Sequence, residues 1–173
     1  SERIIELIKL LEKKKLGTLI REINLETKEK NWLKTIHSNY HIKSLKSKYP
    51  IGEKSSLTAV KGCLQGIDEI MKNRHKNIFC AVRPPGHHAL NTGKHEGFCF
   101  YNHVAISAKY IQNKYKLKKV LIIDWDYHHG NSTELFFYND PSVFFFSTHD
   151  ANAYPRTGSP DRIGIGRGKG YNL

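Results

Sequence analysis

Asp124, Asp126, His128 and His129 follow one another closely in LIIDWDYHHGN, residues 121–131. In an extended segment, residues i and i+2 point the same way. Asp126 and His128 therefore fall side by side, and Asp124 shares their face. A carboxylate beside an imidazole suits a borderline divalent cation such as Zn2+. Asp124 is then placed to orient a neighbour from behind. Several polar groups at the end of an apolar run are costly to bury unless something compensates them. A lone Asp-x-His is more often an ordinary salt-linked strand end. The full run Asp-x-Asp-x-His-His-Gly is much more specific.

A second cluster is RPPGHHA, residues 83–89. Two prolines stiffen this chain and Gly86 permits a tight approach. The consecutive imidazoles of His87 and His88 face different directions. Because imidazole titrates near neutral pH, such a pair beside a metal can supply a general base and an electrostatic partner. Taken alone, the fragment reads as a surface loop.

The elements that must position these groups alternate along the chain. Helical spacing of apolar residues runs over 1–25, 29–48, 58–71 and 102–114, and 131–138 opens like a helix. Short apolar runs at 77–82, 119–124 and 141–147 predict strands, with Phe144, Phe145 and Phe146 as strand core. YPIGEKSS, 49–56, predicts a loop, and the Gly- and Pro-rich stretch 148–173 an ordered loop. Strands alternating with helices predict an α/β fold whose mainly parallel sheet is covered on both faces, a three-layer α/β/α arrangement. Ligands of such sheets sit beyond the carboxyl ends of the strands. Val82 leads to His87 and His88, Asp124 leads to Asp126 and His128, and Ser147 leads to His149. Three loops rich in His and Asp thus leave the same edge.

Composition narrows the function further. The formal charge is +12, carried by 21 Lys and seven Arg against 16 acids. The lysines are scattered, with no Arg cluster, no basic repeat interleaved with aromatics and no zinc-finger spacing. This describes a solvated surface rather than a specific nucleic-acid reader. No apolar stretch reaches the roughly 18 residues of a membrane span. Cys63, Cys80 and Cys99 form no Cys-x-x-Cys pair, which fits a reducing compartment. Cys63 and Cys80 are expected in the core. His37, His41, His75, His95 and His103 are expected as surface or local hydrogen-bonding groups, and His129 must point away from His128.

Taken in order, RPPGHHA, GFCFYNHVAISA (97–108), LIIDWDYHHGN and SVFFFSTHDANAYPRTGSPDRIGIGRGKGYN (142–172) resemble the histone deacetylase superfamily. Trp125 and Asn131 are closer to its class II enzymes and to the bacterial histone deacetylase-like and acetylpolyamine amidohydrolases. HSNYHIKSL, 37–45, is a weaker match to a His-Ser-x-x-Tyr segment of those enzymes.

The resemblance implies an arginase/deacetylase-like fold, cut short at both ends, with residues 1–173 forming one partial catalytic domain. Asp126 and His128 would be zinc ligands, the third ligand being an Asp that is not in this chain; Asp150 and Asp161 are the nearby acids that could substitute. His88 would be general base and acid, with His87 assisting electrostatically, Asp124 backing His87, and Asn131 contacting His88. Gly97, Phe98 and Tyr154 would line the acyl-lysine channel, with Cys99 beside it. Asp124, Asp126, His128, Ser147 and Thr148 would surround a monovalent cation such as K+. Phe137, Asp140, Val143 and Tyr171 would form a weaker second cation site. The implied reaction is zinc-dependent hydrolysis of an acetyl-lysine or acetylated-amine amide. Its substrates are an acetylated lysine peptide or an acetylated small amine, with no specific nucleic acid and no membrane. The rival reading is a catalytically incomplete remnant that binds acyl-lysine or a partner without turnover. The expected compartment is the bacterial cytoplasm, or the nucleus and cytoplasm of a eukaryote.

Overall fold

The protein is described by a computed structural model covering residues 2–24 and 30–173, with nothing stated of the Lys30 side chain. Helix α1 spans Glu2–Lys13 and buries none of its residues. A 3-10 turn follows at Gly17–Leu19. The expected second helix, 29–48, starts outside the described residues and is divided into α2, Lys30–Leu33, and α3, Asn39–Lys48. Ser38 separates them as the N-cap of α3, its Oγ accepting from the His41 N–H at 3.1 Å.

Helix α4, Pro50–Met71, overturns the loop expected at 49–56. Proline at a helix start removes only an N–H that would have no partner there. Tertiary contacts then override the Gly and Ser punctuation. Gly52 lies so close to the Phe100 ring that a Cβ would overlap it. Ser56 Oγ accepts from the Tyr101 N–H at 3.2 Å.

Helix α5 runs His103–Tyr115, strand β1 Val120–Asp124, helix α6 Asn131–Phe137 and strand β2 Val143–Ser147. The strands pair in parallel, Val120 opposite Val143 and Asp124 opposite Ser147. The chain end lies along β2 as well: Phe145 N donates to Tyr171 O, and Leu173 N donates to Phe145 O. This is the parallel α/β arrangement expected.

One predicted strand is absent. Residues 77–82 form no regular element and pair with no strand among the described residues. They lie instead along α4, where Gly66 is in van der Waals reach of Ile78 and Cys80, and Gly62 of Val82. Strand character depends on partners as much as on composition. The segment's Phe79 is 80% exposed.

Two clusters form the core and share α5. One joins Leu33, Leu45, Val60, Leu64, Tyr101, Ile106 and Tyr110. The other joins Ala105 and Ala108 of α5 to Ile122, Phe137, Val143 and Phe145. These residues cover one face of the sheet. Leu121, Ile123 and Phe146 point to the other face and are exposed, so only Phe145 of the three consecutive phenylalanines is core. Alternation along a strand requires this wherever only one face is covered. His37 and His41 are buried in local hydrogen bonds, one of the two alternatives expected for them, and Cys63 and Cys80 are half-buried rather than core. No described helix is long and apolar enough to cross a membrane.

Candidate active site

The loops after residue 82 and after β1 meet beyond the carboxyl end of β1. His87 Nδ1 is 2.9 Å from Asp124 Oδ2, and His88 Nδ1 is 2.7 Å from Asn131 Oδ1. The two rings lie against each other, with centroids 4.0 Å apart. Asp124 Oδ1 accepts from the Asp126 N–H at 3.1 Å, so this carboxylate orients one imidazole and the next turn of chain together. Gly130 is required beside it, because a Cβ there would strike the Asp124 carboxylate.

Asp126 and His128 stand side by side, as their spacing predicts. Asp126 Oδ1 accepts from the His128 N–H at 2.8 Å and is 3.2 Å from His128 Nδ1. It is also 3.8 Å from His87 Nε2. Burial alone would raise the Asp126 carboxyl. The His128 N–H, with the His87 and His128 imidazoles beside it, nevertheless holds it below the ordinary carboxylate range. The His88 ring centroid lies 5.9 Å from that of His128. Burial lowers the His88 pKa, with His87 and His128 acting in the same direction, and the Asn131 contact offsets part of this.

Gly97 takes a left-handed conformation, φ +52°, against the His88 ring, and Phe98 follows at φ +64° with its ring exposed. Tyr154 faces the same ring from another side, its centroid 5.0 Å from that of His88 and 6.4 Å from that of His128. Of the residues named for a channel, Gly97 and Tyr154 therefore flank the His88 ring, and the exposed Phe98 is next to Gly97 in the chain. Cys99 lies beneath, buried, and burial pushes its thiol up to about 12.

The loops named for a monovalent cation are tied together, since Thr148 N donates to Asp124 O at 3.0 Å. Ser147 Oγ is 2.9 Å from His149 Nδ1, and His149 Nε2 is 3.2 Å from Gly158 O. Of the second set, Asp140 N donates to Phe137 O, Val143 N donates to Asp140 O, and Tyr171 O accepts from Phe145 N. The Asp140 carboxylate pairs with Lys109 and accepts from Ser142 Oγ. His129 turns away from the cluster to Thr157 Oγ1, at 2.7 Å, and faces Glu134.

A carboxylate and an imidazole presented together are ligands that Zn2+ accepts, so Asp126 and His128 fit two positions of a zinc site. Among the described residues, no group of three His, Cys, Asp or Glu side chains is placed to hold a metal. Asp150 takes no part, because its carboxylate accepts from Tyr127 Oη at 2.6 Å. Asp161 is exposed. A cavity of about 890 Å3, lined by His129, Glu134, His149 and Arg162, lies on the far side of Asn131 and does not include His87, His88 or Asp126.

Supporting residues missed in the sequence centre on Asn102. Its side chain caps α5 by accepting from the Ala105 N–H, and donates to Ser132 Oγ and Thr133 Oγ1 of α6. Ser132 N donates to His87 O, and Ser132 Oγ donates to Ala89 O. An Asn directly before the helical run HVAISA was the available signal. Its second role, holding α6 to the His87–Ala89 loop, depends on tertiary placement alone.

Comparison with known proteins places the chain in a family. The family model described as the histone deacetylase domain matches residues 1–173. Human Histone deacetylase 9 is 44% identical over 116 residues, covering 65% of this chain and 11% of that protein. Human Histone deacetylase 7 is 50% identical over 101 residues, covering 57% and 10%. Histone deacetylase 10, chloroplastic, of Oryza sativa subsp. japonica is 50% identical over 95 residues, covering 55% and 21%. The crystal structure of the HDA15 HD domain superposes with a TM-score of 0.77 at 34% identity, over 88% of this chain and 47% of that one. This chain thus spans about half of that solved chain and a tenth to a fifth of these curated relatives. On the match along its whole length, the chain belongs to the histone deacetylase family.

Proposed function

We propose that residues 1–173 are part of a catalytic domain that hydrolyses the amide of an acetyl-lysine or an acetylated small amine. The observation that carries this reading is the joining of two oriented imidazoles, His87 on Asp124 and His88 on Asn131, to the Asp126–His128 pair.

Asn131 Oδ1 only accepts, so His88 donates from Nδ1 and its Nε2 keeps a lone pair. A buried ring with a lowered pKa is neutral at physiological pH. His88 Nε2 can therefore take a proton from water and later deliver it to the departing amine. His87 lies against it with a carboxylate behind, which stabilises positive charge on the pair while His88 holds that proton. Phe98 and Tyr154 offer apolar walls to the methylene stem of the substrate, and the Tyr154 hydroxyl adds a polar tip to one of them. Asp126 and His128 would hold Zn2+, together with a ligand from outside the described residues. When bound, the metal supplies Lewis acidity toward the acyl oxygen and acidifies water. The loops of Asp124, Asp126, His128, Ser147 and Thr148 would carry a K+-like ion, and those of Phe137, Asp140, Val143 and Tyr171 a weaker one. Cytoplasm or nucleus is the proposed compartment.

A second reading is favoured by the lack of a three-residue metal group among the described residues: a remnant that binds acyl-lysine without turnover. Acetate release from an acetyl-lysine peptide and from an acetylated polyamine separates the two, measured with Zn2+ present. Release that disappears in His88→Ala supports hydrolysis. Binding of the acetylated peptide with no acetate formed supports the remnant.

A further inference from the structure

Outside the imidazole cluster, the chain holds a pair of thiols that the reaction does not use. Cys63 lies on α4 and Cys80 in the segment 77–82. Gly62 and Gly66 flank Cys63 on the helix and let this segment approach closely. A Cβ at Gly66 would stand 3.0 Å from Cys80 Sγ and 3.0 Å from an Ile78 methyl, and one at Gly62 would stand 3.1 Å from a Val82 methyl. Cys80 Sγ–H reaches the Gly62 carbonyl at 3.8 Å. That carbonyl belongs to the peptide bond leading into Cys63, so the two cysteines are neighbours across this contact. Both residues are half-buried, whereas Cys99 is fully buried elsewhere.

We propose that Cys63 and Cys80 are a modification site, closing a reversible disulfide when the protein meets a peroxide. The Cys80 thiol, beside Cys63, is lowered from its ordinary range, while Cys80 and burial raise that of Cys63, so Cys80 is the sulfur that attacks the peroxide first. Cys80 attacks one peroxide oxygen, the O–O bond breaks, and a sulfenic acid and one water result. The Cys63 sulfur then attacks the sulfenic sulfur, the S–O bond breaks, and a second water leaves with the Cys63 proton. Two thiols lose two electrons and two protons, and the peroxide is reduced to two waters. A dithiol reductant restores the pair by exchange. The bond would fasten α4 to the segment that runs directly into Arg83 and the His87–His88 loop, so its effect on the protein is a tether behind that loop.

The test is hydrogen peroxide treatment of the unaltered protein, followed by alkylation, digestion without reductant and mass spectrometry. The expected result is a linked peptide containing Cys63 and Cys80, two hydrogens lighter than the dithiol pair. The thiol titre should fall from three to one, with Cys99 still alkylated only after unfolding. Dithiothreitol should return all three. In Cys63→Ser, the linked peptide disappears and Cys80 proceeds to the sulfinic acid. Independent alkylation of both cysteines after peroxide, overoxidation of Cys80 in the unaltered protein, or links running only between molecules would each overturn the proposal.

Discussion

His88 Nδ1 lies 2.7 Å from Asn131 Oδ1. A neutral amide oxygen fixes the tautomer of the ring without adding charge, so burial still lowers the pKa. Replacing Asn131 by Asp keeps the acceptor and adds a negative charge beside the imidazolium. The His88 pKa in Asn131→Asp should rise by about one unit or more. NMR titration of the ring reads this directly. In the active domain, the acidic limb of the kcat/KM profile should move to higher pH by the same amount. An unmoved titration would mean that Asn131 does not govern the ring.

Gly97 faces the same imidazole from the channel side. At φ +52° a side chain is strained, and a Cβ would enter the His88 ring. Gly97→Ala should displace the ring and lower kcat/KM by about 100-fold. Unfolding by urea should change much less. A variant with normal turnover would place the base elsewhere.

Asn102 is fully buried and serves three partners. Asn102→Ala removes the α5 cap and leaves the Ala105 N–H and two hydroxyls short of a partner. The expected loss is about 2 kcal/mol in urea unfolding. Asn102→Asp keeps the acceptor for the cap but loses both donors, so it should recover part of the loss. Equal stability of all three proteins would contradict the network.

His37 sets an acid limit. Burial lowers its pKa from 6.5 to about 3, with His41 adding to the shift and the Asn91 contact opposing it. Above pH 6.5 the ring is neutral in folded and unfolded chains, and stability does not depend on its titration. Between pH 6.5 and about 3 the unfolded chain holds the extra proton. Stability therefore falls as pH drops, by about 1.4 kcal/mol per pH unit for this residue. His103, lowered to about 4 by burial, steepens the fall until that pH. Urea unfolding at pH 7, 6 and 5 measures the slope. His37→Gln should be less stable at pH 7 but show a shallower decline.

Much of the site could be read along the chain because local geometry decided it. The i, i+2 spacing put Asp126 beside His128, and the apolar run 119–124 delivered Asp124 to a strand end. Pairing across loops, such as His87 with Asp124, came from the family resemblance; no local rule joins residues 37 positions apart. Failures arose where tertiary contacts overrode composition. Pro50 and Gly52 looked like loop punctuation, yet the packing of Gly52 on Phe100 and the Ser56 contact with Tyr101 carried the helix through. The 77–82 run looked like a buried strand, but among the described residues it meets α4 and no strand. His37 and His41 are expected as surface or local hydrogen-bonding groups, and the second alternative holds. They are buried because Asn102 N, Gly93 N and Phe100 O supply their hydrogen bonds.

The central claim is that Asp126 and His128 bind one metal ion next to the His87–His88 pair. Zinc titration calorimetry on the protein carrying this chain, beside its Asp126→Ala/His128→Ala variant, tests it most directly. The account predicts one zinc site in the parent and loss of that site in the variant, with the fold intact by circular dichroism. Zinc binding of equal strength in both proteins would contradict it.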